Sequence, residues 1–205
     1  MTSAKPMRQS QLAGDPDPRW TAIATRDTRS DGHRPDRIPG ADIRFAIVKS
    51  ALGYLLVARS AKGVCAVLMG DSPSLLERDL RQRFPQVRLF GSHAHTESLA
   101  GEVARVVENP RLGLDLPLDV RGTAFQQRVW RALRQIAVGC TVSYAEVARR
   151  VGAPRSVRAV AQACAANPLA VLIPCHRVVR HDGALSGYRW GIERKRALLT
   201  LESCR

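Results

Sequence analysis

The sequence predicts an α+β protein in two unlike parts, an α/β unit over residues 41–118 and a helical unit over residues 119–205. Three observations carry that prediction. Short β-branched and apolar runs punctuated by glycine lie before residue 70, the pattern of a small antiparallel meander. Apolar residues at helical spacing dominate after residue 119, and two of those helices are separated by a short glycine turn. Charge divides the same way: of the formal net charge of +14, residues 119–205 hold fifteen basic side chains against five acidic ones. Concentrated positive charge draws in a polyanion and speeds the encounter, so the helical unit is expected to bind nucleic acid.

Composition excludes other classes. With 205 residues the chain is long enough to bury a real core. Its five cysteines, Cys65, Cys140, Cys164, Cys175 and Cys204, are odd in number and show no C-x-x-C spacing. That argues against a disulfide framework or a thiolate metal centre and fits a reducing compartment. No signal-peptide pattern or membrane-spanning run is found, so a cytoplasmic protein without membrane association is expected.

Residues 1–40 mix Pro, Gly, Asp, Arg and Ser, with one short helical possibility around Trp20. Disorder is expected there, because little could be buried to offset the ordering entropy. Residues 43–49, 54–59 and 64–69 then read as strands, with Gly53 and Ala61-Lys62-Gly63 where hairpin turns belong. Residues 74–84 set Leu75, Leu76, Leu80 and Phe84 at helical spacing before Pro85, which stops the helix. A second helix is expected over 98–108, with Leu99, Val103 and Val106 on one face. His93 and His95 alternate but have no third ligand nearby, so no metal site is expected.

After Leu116-Pro117-Leu118 the helical unit begins near Asp119. Residues 123–136 place Phe125, Val129 and Leu133 at i, i+4 and i+8. Ser143-Tyr144-Ala145-Glu146 has the form of a capping box, and the helix it starts ends at Val151-Gly152. Pro154 is expected to open the next helix, which runs to about Ala166. Val157, Val160, Ala161 and Cys164 form its buried stripe, and Arg155, Arg158, Ala159, Gln162 and Ala166 its other face. A face of alanines has little with which to read base edges in a major groove about 12 Å wide, but it can press against a minor groove of about 6 Å. Helix packing explains the alanines as well; sequence-tolerant minor-groove docking is the functional expectation.

Leu172-Ile173-Pro174-Cys175-His176-Arg177-Val178-Val179 reads as a buried strand carrying a cysteine beside a histidine. A thiolate is a nucleophile and a thiol is not, so a neighbouring base matters. Taken alone, the pair reads more readily as a small core cysteine. The surrounding residues shift that balance. Pro174-Cys175-His176-Arg177-Val178 resembles the active-site motif of the O6-alkylguanine-DNA alkyltransferases. The similarity runs from Arg121 to Glu202 and is greatest to the C-terminal half of the bacterial adaptive-response (Ada) class.

The resemblance implies a fold and a chemistry. The fold would be a ribonuclease H-like α/β domain followed by a helical, winged helix-turn-helix-like catalytic domain. The activity would be DNA repair without cofactor or metal: irreversible, single-turnover transfer of the alkyl group from O6-methylguanine, or from O4-methylthymine, to Cys175. The partner would be double-stranded alkylated DNA, bound with the damaged base flipped out, by a monomer acting singly or cooperatively. His176 would take the thiol proton through a water. Glu202 would orient His176 and balance its charge, with Glu193 the alternative carboxylate. Asn167 matches the family's hinge between DNA-binding and active-site elements. Tyr144 matches the tyrosine that crowds the 3′ phosphate and then donates to N3 of the base. Arg158 matches the arginine that fills the vacated stack, and Arg155 and Ala159 lie with it on the DNA face. Ser186, Gly187 and Tyr188, within the Gly-rich run 181–190, match the substrate loop, with backbone at Ser186 donating to O6.

Residues 15–27, Asp15-Pro16-Asp17-Pro18-Arg19-Trp20 onward, resemble the first helix of full-length Ada proteins. In that class a four-cysteine zinc domain and an activator domain follow; here neither follows. The segment reads as the remnant of an internal deletion or, equally, as a chance similarity over a short stretch, and neither phosphotriester repair nor a transcriptional response is expected. The alternative for the whole chain is a DNA-binding module that marks a flipped base without repairing it. Cys175 discriminates, since such a binder has no need of a thiol.

Overall fold

The computed structural model describes residues 42–91 and 94–203. The expectations for residues 1–40, including Trp20, and those for His93 and Cys204 lie outside the described residues. What is described is a mixed α+β protein.

Strands β1 (Asp42–Ser50), β2 (Gly53–Arg59) and β3 (Val64–Gly70) form the antiparallel meander that the glycine-punctuated runs predict. A fourth strand, β4 (Arg88–Gly91), lies parallel to β1 and completes the order β3-β2-β1-β4. Sequence reading passes over β4 because four residues with exposed or half-buried side chains carry no alternating pattern. Helix α1 (Pro73–Arg83) links β3 to β4, and α2 (Ala94–Glu108) covers β1 and β2 with Leu99, Val103, Val106 and Val107 buried. Helix α2 begins about one turn before the expected start at residue 98.

Strand β3 is buried from Val64 to Met69, and its outer edge is occupied by the junction between the two parts and by a segment of the second part. The Val64 N–H donates to the Pro117 carbonyl (2.9 Å) and the Asp119 N–H to the Val64 carbonyl (2.9 Å). Further along, the Val67 N–H donates to Pro168 (2.8 Å), and the Ala170 N–H donates to Val67 (3.0 Å). An edge strand's unpaired backbone groups are a template for unwanted pairing; here they hold the chain around residues 117–119 and 168–170 in place.

Helix α3 (Ala124–Arg134) starts with both arms of a capping box between Thr123 and Gln126, and the Trp130 indole N–H donates to the Ala163 carbonyl (2.9 Å). Helix α4 (Tyr144–Arg150) has one arm of its expected box. The Ser143 hydroxyl accepts from the Glu146 N–H (3.1 Å), while the Glu146 side chain turns to Arg149 and Arg150. Gly152, at φ +71°, ends this helix as expected. Helix α5 (Val157–Ala165) starts three residues later than its proline suggests, which leaves Arg155 in the preceding turn and off the helix. Its buried stripe is Val160, Ala163 and Cys164. Val157 does not belong to it: as the first helical residue it overhangs the packed turns and is 37% exposed. Ala161 is half-buried. A two-stranded parallel ladder of β5 (Val142–Ser143) and β6 (Val178–Val179), and helix α6 (Ile192–Ser203), complete the second part. Buried apolar residues of both parts form one continuous cluster.

Gly63 is fixed by the edge contact. Its φ is +149°, and a Cβ there would stand 2.2 Å from the Pro117 carbonyl oxygen. Gly63→Ala is expected to lower the unfolding free energy by roughly 2–4 kcal/mol, backbone strain adding to a displaced edge segment. Urea denaturation checks this; a loss under about 0.5 kcal/mol would mean that the edge contact is dispensable.

Candidate active site

The expected strand over residues 172–179 does not form; only Val178 and Val179 are in a strand. Two γ-turns and a 3-10 turn replace the rest. Val171 is held at φ +66°, and the Leu172 N–H donates across it to the Ala170 carbonyl (2.7 Å). This is the rare positive-φ γ-turn, unusual for a β-branched residue. Pro174, at φ −79° and ψ 63°, sits at the centre of an inverse γ-turn in which the Cys175 N–H donates to the Ile173 carbonyl (2.8 Å). Cys175, His176 and Arg177 then form a 3-10 turn. Successive side chains of such a turn point roughly 120° apart, so the thiol and the imidazole diverge without lying on opposite faces of a strand.

Asn167, fully buried just beyond α5, shapes this turn. Its amide nitrogen donates to the Ile173 carbonyl (2.8 Å), the Leu169 carbonyl (3.3 Å) and the Cys175 Sγ (3.2 Å), while its oxygen accepts from the Leu169 N–H (2.9 Å). One side chain therefore joins the end of the helix, the γ-turns and the thiol. Cys175 is 4% exposed. Burial pushes its thiol up to about 11, against the opposing pull of the Asn167 hydrogen bond and the Lys195 charge.

His176 is fully buried. Its Nε2 lies 2.8 Å from Glu202 Oε1. Burial holds the imidazole below the ordinary histidine pKa, more than Glu202 raises it. A carboxylate only accepts, so the neutral ring carries its proton on Nε2 and keeps a lone pair on Nδ1. That Nδ1 is buried with no hydrogen-bond partner from the protein. The Tyr188 ring meets the imidazole edge-on, centroids 6.4 Å apart.

Glu202 comes from α6 and collects three partners, His176, Arg177 and, at 3.5 Å, the Gly139 N–H. Arg177 donates to it through Nη2 (2.8 Å) and Nε (3.0 Å), and its Nη1 reaches the Ile136 carbonyl (2.5 Å). Burial raises the carboxyl's pKa, but the bonds from His176 and Arg177 outweigh it and hold Glu202 at about 2. The alternative carboxylate, Glu193, faces solvent and pairs with Arg196.

A second group lies beside the first. The Tyr144 hydroxyl and Ser186 Oγ are 2.8 Å apart, and burial raises the Tyr144 pKa, so the phenol stays protonated. Lys195 is fully buried and donates from Nζ to the Val178 carbonyl (2.6 Å) and, more weakly, to the Ser186 carbonyl (3.4 Å). Tyr188 is half-buried against Trp190, its hydroxyl buried without a partner. Gly187 is exposed, with open space where a Cβ would stand. Arg158 on α5 and Arg155 before it are exposed and Ala159 half-buried; none is in hydrogen-bonding contact with the thiol network.

The sequence-derived residues thus converge as two groups, Cys175, His176, Glu202 and Asn167 with Tyr188 against the imidazole in one, and Tyr144 with Ser186 in the other. Sequence reading gave Arg177 no role and missed Lys195. A signal existed: Lys195, Leu198 and Glu202 are the buried residues of α6, spaced i, i+3 and i+7, and two charges on a buried helical stripe mark a polar network. Among the described residues no group of three His, Cys, Asp or Glu side chains could hold a metal ion, and no helix is long and apolar enough to cross a membrane.

Known proteins resemble this chain in sequence and in fold. Residues 124–204 match the family described as 6-O-methylguanine DNA methyltransferase, DNA binding domain. The chain is 50% identical over 161 residues to the Escherichia coli bifunctional transcriptional activator/DNA repair enzyme Ada, covering 78% of this chain and 46% of that protein. It is 39% identical over 147 residues to the inducible methylated-DNA–protein-cysteine methyltransferase of Bacillus subtilis, covering 71% of this chain and 82% of the relative. The crystal structure of Mycobacterium tuberculosis OGT in complex with DNA superposes with a TM-score of 0.67 at 35% identity, over 78% of this chain and 92% of that one. The chain spans about half the length of several curated relatives, 46% of Ada and 55% of the Mycobacterium tuberculosis methyltransferase.

The Glu202 network makes stability pH-dependent. A carboxyl held at about 2 when folded, against about 4.3 unfolded, contributes stability above the unfolded value that is lost as pH falls toward 2. Wild type is expected to exceed Glu202→Gln by roughly 3 kcal/mol at pH 7, with the two converging between about pH 4.5 and 2. Urea unfolding at several pH values reads this; a difference that persists undiminished at pH 2 would remove the carboxylate's charge from the account.

Proposed function

The chain belongs to the O6-methylguanine–DNA methyltransferase family, and on that premise we propose that it repairs double-stranded DNA by moving the alkyl group of O6-methylguanine onto Cys175. The observation that carries this is the Cys175 thiol, bonded to Asn167 next to a neutral His176 backed by Glu202. A bond forms between Sγ and the alkyl carbon, and the carbon–O6 bond breaks. The thiol proton passes through a water to Nδ1 of His176, the ring's free basic atom. The departing purine takes a proton at N3 from Tyr144, which burial keeps protonated, and the imidazolium's proton restores the phenol by way of solvent. A thioether is not readily hydrolysed, so each molecule acts once.

An alkyl group at O6 is inaccessible to a thiol this deeply buried unless the base leaves the stack. In this reading α5 docks in the minor groove, its small Ala159 allowing close approach, and Arg158 fills the gap. Arg155, freed from the helix, contacts phosphate. The loop at Ser186, Gly187 and Tyr188 closes over the flipped base. We read residues 41–118 as a ribonuclease H-like domain, which the β3-β2-β1-β4 order with β4 parallel to β1 supports, and residues 119–205 as a winged helix-turn-helix-like domain. The protein acts as a monomer on DNA and needs no cofactor.

After incubation with duplex containing O6-methylguanine, mass spectrometry is expected to find one added methyl group, on Cys175. Cys175→Ala should abolish transfer and keep binding; transfer surviving in this variant would sink the mechanism. Arg158→Ala is expected to slow repair of duplex DNA tenfold or more while reaction with free O6-benzylguanine changes less than twofold, a loss of about 1.4 kcal/mol or more confined to duplex substrate. Equal losses on both would show that Arg158 does not support a flipped base.

A further inference from the structure

The loop at Ser186, Gly187 and Tyr188 is held at its far end by the α/β part. Residues 188–191 form a tight turn in which the Gly191 N–H donates to the Tyr188 carbonyl (3.0 Å), and α6 begins at the next residue. Arg194, in the first turn of α6, spreads its guanidinium over three acceptors. Nε donates to the Leu52 carbonyl between β1 and β2 (2.8 Å), Nη1 to the Trp190 carbonyl (2.9 Å) and Nη2 to Asp71 beyond β3 (2.5 Å). Two of these acceptors belong to the α/β part and the third to the loop, so one side chain ties the two together.

Glycine leaves room for the guanidinium. Gly53 has φ +100°, and a Cβ there would stand 2.7 Å from the Gly70 carbonyl oxygen and 3.0 Å from Arg194 Nη2. The Arg194 side chain is 17% exposed and that of Asp71 87%. The ion pair is therefore screened by solvent, and the two carbonyl bonds supply most of the hold. Two different nitrogens of a planar fork make those bonds, an arrangement that the point charge of a lysine ammonium does not reproduce. The other tie between loop and α/β part is looser. Arg189 Nη2 lies 3.2 Å from Asp79, which Arg83 shares, and its Nη1 lies 3.4 Å from the Ala165 carbonyl.

From the tied carbonyl a line of contacts runs to the imidazole. The buried Trp190 ring meets Tyr188 edge-on with centroids 5.1 Å apart, and Tyr188 meets His176 at 6.4 Å. We propose that Arg194 is a positioning residue for the transfer reaction. By fixing the Trp190 carbonyl to the turn between β1 and β2, it sets where Tyr188 stands against His176 and where Ser186 and Gly187 lie over the flipped base. It acts through Trp190 and Tyr188, and the inference rests on the repair activity proposed above.

Arg194→Ala and Arg194→Lys, each in the full chain, are compared with wild type in two assays. One is single-turnover methyl transfer from duplex containing O6-methylguanine, at protein concentrations that saturate the rate; the other is binding to the same duplex without the lesion. Both variants are expected to lose about tenfold or more in the saturating rate, as misplacement of groups around reacting atoms does, and to keep their affinity within about twofold. A general loosening of the fold would lower rate and affinity together. In the free protein, the ring resonances of Tyr188 and His176 should shift in both variants, and those of Trp130, which bonds α5, should not. If Arg194→Ala does not fold, Arg194→Lys, which keeps the charge and the stem, decides alone. A saturating rate in Arg194→Lys within about twofold of wild type, an affinity that falls as far as the rate, or unshifted Tyr188 and His176 rings would each overturn the proposal. Failure of the wild-type protein to transfer a methyl group would remove the repair activity instead, and the ring resonances would still show whether Arg194 places Tyr188.

Discussion

The buried carboxylate of Glu202 is the contact on which the site depends. Withdrawing charges from water costs several kcal/mol per ion, and the cost is recovered only where hydrogen bonds close around them. Here His176 and both nearer arms of Arg177 converge on two oxygens, and Arg177 continues to the Ile136 carbonyl beyond the end of α3. Helix α6, the reactive turn and α3 are thereby fixed relative to one another. The same contact sets the imidazole tautomer. With Nε2 committed to the carboxylate, Nδ1 becomes the ring's basic atom.

A fully buried thiol makes a poor resting nucleophile, and the balance of effects at Cys175 favours the neutral form. Burial outweighs the Asn167 hydrogen bond and the Lys195 charge together. Burial also keeps His176 neutral against the pull of Glu202. One desolvated pocket therefore holds both partners of a proton transfer uncharged, which spares the thiol from oxidants and stray electrophiles. Countercharges for the products are already in position. Glu202 stands ready for an imidazolium, and Asn167 and Lys195 for a thiolate, so charge separation need not wait for the surroundings to reorganise.

The meander, most of the helices and the Gly152 stop were legible in the sequence, because each rests on local periodicity or turn chemistry, whereas the gathering of Cys175, His176, Glu202 and Asn167, which meet in the structure, was expected from the family resemblance. What was not legible depends on contacts distant in sequence. The apolar run 172–179 satisfies a strand pattern, yet Asn167 claims the Ile173 carbonyl and the sheet claims Ala170, so the backbone between them folds into γ-turns. Pro154 can open a helix, yet α5 waits until Val157. Strand β4 exists because β1 offers an edge for parallel pairing, which no feature of Arg88-Leu89-Phe90-Gly91 reveals alone. Lys195 was hidden by its type, since a lysine on a helix is ordinarily solvated.

The N-terminal sheet contributes no group to the thiol network, but it determines where that network sits. Val67 bonds in both directions, its N–H to Pro168 and its carbonyl to Ala170, and these two residues flank Leu169, whose N–H and carbonyl both bond the Asn167 side chain. Val64 does the same for the chain at Pro117 and Asp119. The segment between α5 and the reactive turn is thus tied to β3 by a single parallel bridge at Leu169, made of backbone bonds that are indifferent to side-chain identity. Any force on α5 from a docked partner acts against this fixed edge, and Asn167 lies at the point where the two meet. The α/β part therefore works as the abutment that holds the thiol's neighbour in place while the helical part engages whatever it binds.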